Sequence, residues 1–128
     1  MHLSIRTIFV TGLVALTVSA CQTTGSGPSE TVTYTPITKL TAFEGGVVGK
    51  TLRRDKNHIV IADNHTWGGM WDGKKIGGDW AWENGAFCRT MNGAAPDCQR
   101  FEMSNKFDQL RVTRNRGTGK TWYYQIGK

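Results

Sequence analysis

The sequence predicts an all-β protein: a single small antiparallel meander of seven or eight strands, a closed or nearly closed barrel with one disulfide. Three observations predict it. Glycine is abundant, 16 of 128 residues, and it cuts the chain into segments too short for ordinary helices. Asp72-Gly73 and Asn84-Gly85 each separate two such segments, and both dipeptides favour the two-residue hairpin turn. Within the segments apolar and polar residues alternate, the period of a half-buried strand.

The elements follow in order. Residues 50–53 form a first strand after a turn at Gly49, and residues 59–61 a second. Residues 66–71 form a third, ended by Asp72-Gly73, and residues 75–82 a fourth, ended by Asn84-Gly85. Residues 86–91 and 98–103 make a pair, and residues 108–113 and 121–126 a last hairpin around Gly117-Thr118-Gly119. Only residues 40–48 have helical character, and Gly45-Gly46 weakens it. Residues 31–35 are β-like but precede Pro36, which fits an edge strand or more of a tether. Strands of this number and spacing suit a closed meander, and closure removes exposed edges.

Parity assigns faces. Trp67 and Trp71 share one, as do Trp80 and Trp82, and Trp122, Tyr124 and Ile126 line one face of the last strand. Most of the five tryptophans therefore belong to the core. Leu110 and Val112 alternate with Arg111 and Thr113, so Arg111 projects outward. If Cys98 faces outward with Arg100 and Glu102, its partner Cys88 does too, and Phe87 and Arg89 point inward. An inward Arg89 needs a carboxylate or carbonyl partner; Asp79 and Glu83 are near in sequence. A structural ion pair at the rim is the plain reading of Arg89, and an anion-binding arginine the sharper one.

The N-terminus is read separately. Arg6 precedes an apolar run over residues 8–20 that ends in small residues, the layout of a secretory signal. The run is shorter than the ~20 residues a membrane-spanning helix needs. Leu16-Thr17-Val18-Ser19-Ala20-Cys21 resembles the lipobox of bacterial lipoproteins. That resemblance implies cleavage before Cys21 and acylation of its thiol. Gln22 rather than Asp follows, which in enteric-type lipoproteins implies export to the outer membrane. Two or three acyl chains anchor stably where one does not, at ~0.8 kcal/mol per buried CH₂. The expected organisation is a signal peptide over 1–20, a lipidated N-terminus and flexible tether over 21–38, and the barrel domain over 39–128. The tether is rich in Gly, Ser, Thr and Pro and has little to bury.

Three cysteines are present. With Cys21 lipidated, Cys88 and Cys98 remain, and an exported pair in an oxidising compartment is most simply a disulfide. Its short loop stabilises by roughly 2–3 kcal/mol on the chain-entropy model. A redox pair or a metal site lacks both the C-x-x-C spacing and nearby ligands.

The run Gly78-Asp79-Trp80-Ala81-Trp82-Glu83-Asn84-Gly85-Ala86-Phe87-Cys88-Arg89, then Cys98, then Arg114-Asn115-Arg116-Gly117, resembles small exported alphaproteobacterial proteins of unknown function with a G-x-W-x-W-x-x-G-x-x-C-R pattern and a second Cys. The resemblance implies the fold and export, and no chemistry. Some members carry the name dihydrodipicolinate reductase. This chain has no G-x-G-x-x-G after a strand and no room for a dinucleotide-binding unit.

Catalytic constellations are scarce. His58 and His65 flank Asp63, but the spacing matches no strong zinc template. There is no G-x-S-x-G and, with the domain cysteines paired, no thiol nucleophile. No catalytic residue, metal ligand or cofactor is assigned. The formal net charge is +6, and its excess lies late: Lys106, Arg111, Arg114, Arg116, Lys120 and Lys128 against Asp108. Arg111, Arg114, Arg116, Lys120 and Arg89 are the candidate anion-binding residues. Solvated surface charge is the plain alternative. Expected partners are the membrane through the lipid, and anionic lipid, lipopolysaccharide or peptidoglycan; an exported protein does not meet nucleic acid.

The sequence therefore favours a non-enzymatic envelope lipoprotein that binds or organises an anionic component. An inhibitor of a secreted hydrolase is the first alternative, with a protease target favoured over a lysozyme because two cationic proteins repel. A metal-dependent enzyme using His58, Asp63 and His65 is the second. Replacing Cys21→Ser should yield an unprocessed or soluble exported form on membrane fractionation. A variant that still pellets with membranes like the parent contradicts the lipobox reading.

Overall fold

Strand pairing in the computed structural model, which describes residues 30–127, runs as a meander that returns to its own start. The elements are β1 (Tyr34–Pro36), α1 (Leu40–Gly46), β2 (Thr51–Arg54), β3 (Asn57–Ile61), β4 (Thr66–Trp71), β5 (Lys74–Glu83), β6 (Ala86–Arg89), β7 (Asp97–Ser104), β8 (Gln109–Thr113) and β9 (Thr121–Ile126). Each of β2 to β9 pairs antiparallel with the next, β2 also pairs with β9, and these eight close an antiparallel barrel. The signal and lipobox assignments, Cys21 included, lie outside the described residues.

The expected hairpins form. Asp72 and Gly73 have φ of 48° and 77°, and Asn84 and Gly85 of 47° and 76°. Left-handed pairs of this kind match the right-handed twist of the flanking strands. Cys88 and Cys98 lie directly opposite each other on β6 and β7 and are bonded. The last hairpin differs from a simple glycine turn. Asn115 (φ 52°) and Arg116 (φ 55°) are left-handed within a helical turn over Arg114–Gly117, and Arg114 N donates to Lys120 O across its base at 3.0 Å.

The folded part begins earlier than residue 39. β1 pairs with β7 from Tyr34 opposite Ser104 to Pro36 opposite Glu102, and Ile37 is buried in the core. The cause lies in β7, whose first residues pair with β6 only through Gln99. β1 takes over the edge that β6 leaves, so no long unpaired stretch remains.

The core follows the predicted parity. Leu52, Ile59, Ile61, Trp67, Trp80, Phe87, Phe101, Leu110, Val112, Trp122 and Tyr124 are buried. Helix α1 forms despite Gly45-Gly46 because tertiary packing outweighs propensity. Its Phe43 is fully buried, with ring centroids 5.6, 4.8, 5.5 and 5.3 Å from Trp80, Trp82, Phe87 and Phe101. Lys50 Nζ donates to Gly46 O at 2.9 Å, satisfying a terminal carbonyl and meeting the negative end of the helix. Helix α1 therefore stoppers one end of the barrel.

Phe43→Ala should cost about 3–5 kcal/mol, the usual range for emptying a buried aromatic site, read as a lower urea midpoint with an unchanged slope. A loss under about 1 kcal/mol would show that the helix does not seal this end.

Candidate functional site

The end away from α1 stays open. A meander puts alternate turns at one end, so the β2–β3, β4–β5, β6–β7 and β8–β9 turns gather there. They surround a cavity of about 490 Å³. Its walls are inward residues of the strands: Arg54 after Leu52 on β2, Trp71 on β4, Ile76 on β5, Arg89 on β6, and Trp122 and Tyr124 on β9. Its rim carries Asp72, Lys74, Met91, Arg114 and Lys120.

The charges do not balance. The lining holds five cations, Arg54, Lys74, Arg89, Arg114 and Lys120, against one carboxylate, Asp72. Of these cations only Arg114 makes an ion pair with a described residue, Nε to Asp97 Oδ2 at 3.1 Å. Asp97 also accepts from Gln99 Nε2 at 2.7 Å. Asp72 leans away to Lys56, 3.9 Å off and well exposed.

Arg89 points inward as parity predicts, but neither Asp79 nor Glu83 meets it. Its guanidinium lies over the Trp67 ring, 4.4 Å from the centroid. Burial lowers its pKa, opposed by Tyr124 and by Asp97 across the strand. An indole face supports a guanidinium electrostatically while leaving its N–H edge free. Trp67 is itself fixed, donating from Nε1 to Thr90 O at 2.9 Å. Gly78 makes room for that bond, since a Cβ there would lie 2.0 Å from Thr90 O and 3.2 Å from Trp67 Nε1. Arg54 repeats the arrangement more loosely, 5.9 Å from the Trp71 ring centroid. Burial also raises the Tyr124 pKa, opposed by Trp122 and Arg89.

The other candidate cations separate. Arg111 projects outward as predicted, but it is bound on the outer wall. Its Nε and Nη2 donate to the two Glu102 oxygens at 2.6 and 2.8 Å, and its guanidinium covers the Tyr34 ring at 4.8 Å. That bidentate bond holds the Glu102 carboxyl below the usual range and raises the pKa of Arg111. Arg116 also leaves the mouth. It donates to Glu83 O at 3.2 Å and to Cys98 Sγ at 3.6 Å, over the outer face of the disulfide. Of the cations on the last hairpin, Arg114 and Lys120 line the mouth, while left-handed Asn115 and Arg116 turn Arg116 away from it.

His58, Asp63 and His65 do not converge. His65 is stacked on Trp80, centroids 4.7 Å apart. Among the described residues the one group of three potential metal ligands within mutual reach is Glu83, Cys88 and Cys98, and both sulfurs belong to the disulfide. The mouth lining has no histidine and no thiol. Its chemistry is that of a hydrogen-bond donor set around an apolar floor, suited to holding an anion.

Of the residues that line the mouth, sequence reasoning named Arg89, Arg114 and Lys120 as candidates and did not name Arg54, Lys74 or Trp71. A signal existed: Arg54 shares parity with Leu52, and Trp71 and Lys74 flank the Asp72-Gly73 turn. Compared with protein-family profiles, curated proteins and solved structures, the chain matches none.

Proposed function

We propose that this protein is a non-enzymatic, lipid-tethered module of the bacterial envelope that captures an anionic envelope component in its barrel mouth. The mouth carries the reading: five cations against one carboxylate around a cavity of about 490 Å³. Inward or recessed cations without acid partners are costly to keep unless something neutralises them. The tether and anchor come from the lipobox resemblance at Cys21, which puts the mouth where phosphates and carboxylates of the envelope are abundant. Open rim lysines act at long range, and salt screens that attraction over ~8–10 Å at physiological strength.

Titration calorimetry of the purified lipoprotein in neutral detergent micelles, with dextran sulfate as polyanion and dextran as control, tests the reading. Binding to dextran sulfate should be present at low salt, weaken as salt rises, and be absent for dextran. At about 0.7 kcal/mol per exposed charge, Lys74→Gln with Lys120→Gln should weaken it about tenfold. Arg116→Gln, outside the mouth, should leave it unchanged. No binding at low salt, or equal loss in the Arg116 variant, would return the mouth cations to plain solvated charge.

A further inference from the structure

Arg54 and Arg89 separate the mouth from an ordinary basic patch. Both are inward residues, the Arg89 guanidinium lies 4.4 Å and the Arg54 guanidinium 5.9 Å from an indole centroid, and neither makes a hydrogen bond or ion pair with a described residue. A guanidinium has five N–H donors in a fixed fork. Stacked on a ring it keeps that fork in plane, where a two-oxygen face of an oxyanion docks bidentately. Both arginines line one cavity, with Lys74 and Lys120 at its rim.

Charge then selects among oxyanions. Three lining cations, Arg54, Lys74 and Lys120, have no acid partner among the described residues, and Arg89 shares Asp97 with Arg114, so a singly charged carboxylate would leave most of them unmet. A phosphate monoester carries about −1.5 to −2 at neutral pH and offers three acceptor oxygens. Size and floor select the rest of the ligand. A cavity of about 490 Å³ falls in the ~300–1,000 Å³ range of sites for small organic ligands, and inorganic phosphate would not fill it. Trp71 supplies a flat apolar face beside the arginines, with Ile76 next to it and the edge of the mostly buried Trp122 behind, which favours a ring over a flexible chain.

We infer that the mouth binds the phosphate monoester of a ring-bearing compound, a sugar or aryl phosphate, through the paired forks of Arg54 and Arg89. This rests on the mouth being the binding site proposed above. Lys74 and Lys120 draw the dianion in, the two arginines fix it, and the ring lies against the indole wall.

The test is calorimetry on the full lipoprotein in neutral micelles, with phenyl phosphate, glucose 1-phosphate, inorganic phosphate, benzoate and glucose as probes. At least one ring phosphate should bind about tenfold or more tighter than inorganic phosphate and benzoate, the scale of a charge-assisted hydrogen bond, and glucose should not bind. Preference for glucose 1-phosphate or for phenyl phosphate assigns the body as sugar or aryl. Phosphorylated lipid A micelles against glucose 1-phosphate then tell a lipid-borne phosphosugar from a free one. Arg54→Lys with Arg89→Lys keeps the charge and removes the forks. It should lower ring-phosphate binding about tenfold or more, whereas Arg116→Gln, outside the mouth, should leave that binding unchanged. Benzoate matching phenyl phosphate, ring phosphates no tighter than inorganic phosphate, or a folded double variant that binds like the parent would each overturn the inference. If the parent binds dextran sulfate without these preferences, the ligand class alone is wrong. If it binds neither, the mouth itself is.

Discussion

Once β7 pairs with β8, every second residue of eight strands points into one enclosed space, and that space has to be filled. Phe43 fills it from one end, packed among Trp80, Trp82, Phe87 and Phe101. Among the described residues there is no second stopper. The alternation that drives Leu52, Phe87 and Trp122 into the core also drives Arg54 and Arg89 inward at the opposite end. Closure thus produces a sealed apolar half and an open cationic half from one periodicity.

Burial makes the partner of a charge decisive, and the barrel treats its arginines in two ways. On the outer wall Arg111 meets Glu102 in a bidentate pair, and Arg116 lies over the disulfide beside Glu83. Those charges are answered within the protein and offer little to a ligand. In the mouth Arg89 and Arg54 are answered by π faces, which support a guanidinium without occupying its donors. Asp97, the nearest acid to Arg89 across the strand, is engaged by Gln99 and Arg114. The contrast between the two sets turns on which residues sit opposite in register, and it separates cations whose donors are taken from cations whose donors are open.

That contrast also explains what the sequence could convey. Strands, the Asp72-Gly73 and Asn84-Gly85 turns, the Cys88–Cys98 bond and the inward face of Arg89 are written in local periods and dipeptides, and they are read without knowing the pairing. The role of residues 34–37 is not, because it depends on where β6 leaves β7. The fate of the late cations is not either. Arg111 and Lys120 look alike in a basic stretch, and only the register of Arg111 opposite Glu102 tells the bound charge from the open one. The mouth draws Arg54, Lys74, Arg89 and Lys120 from four different hairpins. Its composition becomes visible only when alternate turns of the closed meander are placed at one end.

The most direct measurement is a titration of nitrogen-15-labelled protein with phenyl phosphate, followed at the tryptophan indole N–H signals. The five tryptophans divide by position: Trp71 and Trp122 line the mouth, Trp67 backs Arg89, and Trp80 and Trp82 pack on Phe43 at the sealed end. Saturable shifts of the Trp71, Trp122 and Trp67 signals are expected, with Trp80 and Trp82 unmoved. Shifts confined to Trp80 and Trp82, or none at a phosphate concentration that calorimetry shows to be bound, would contradict the mouth as the binding site.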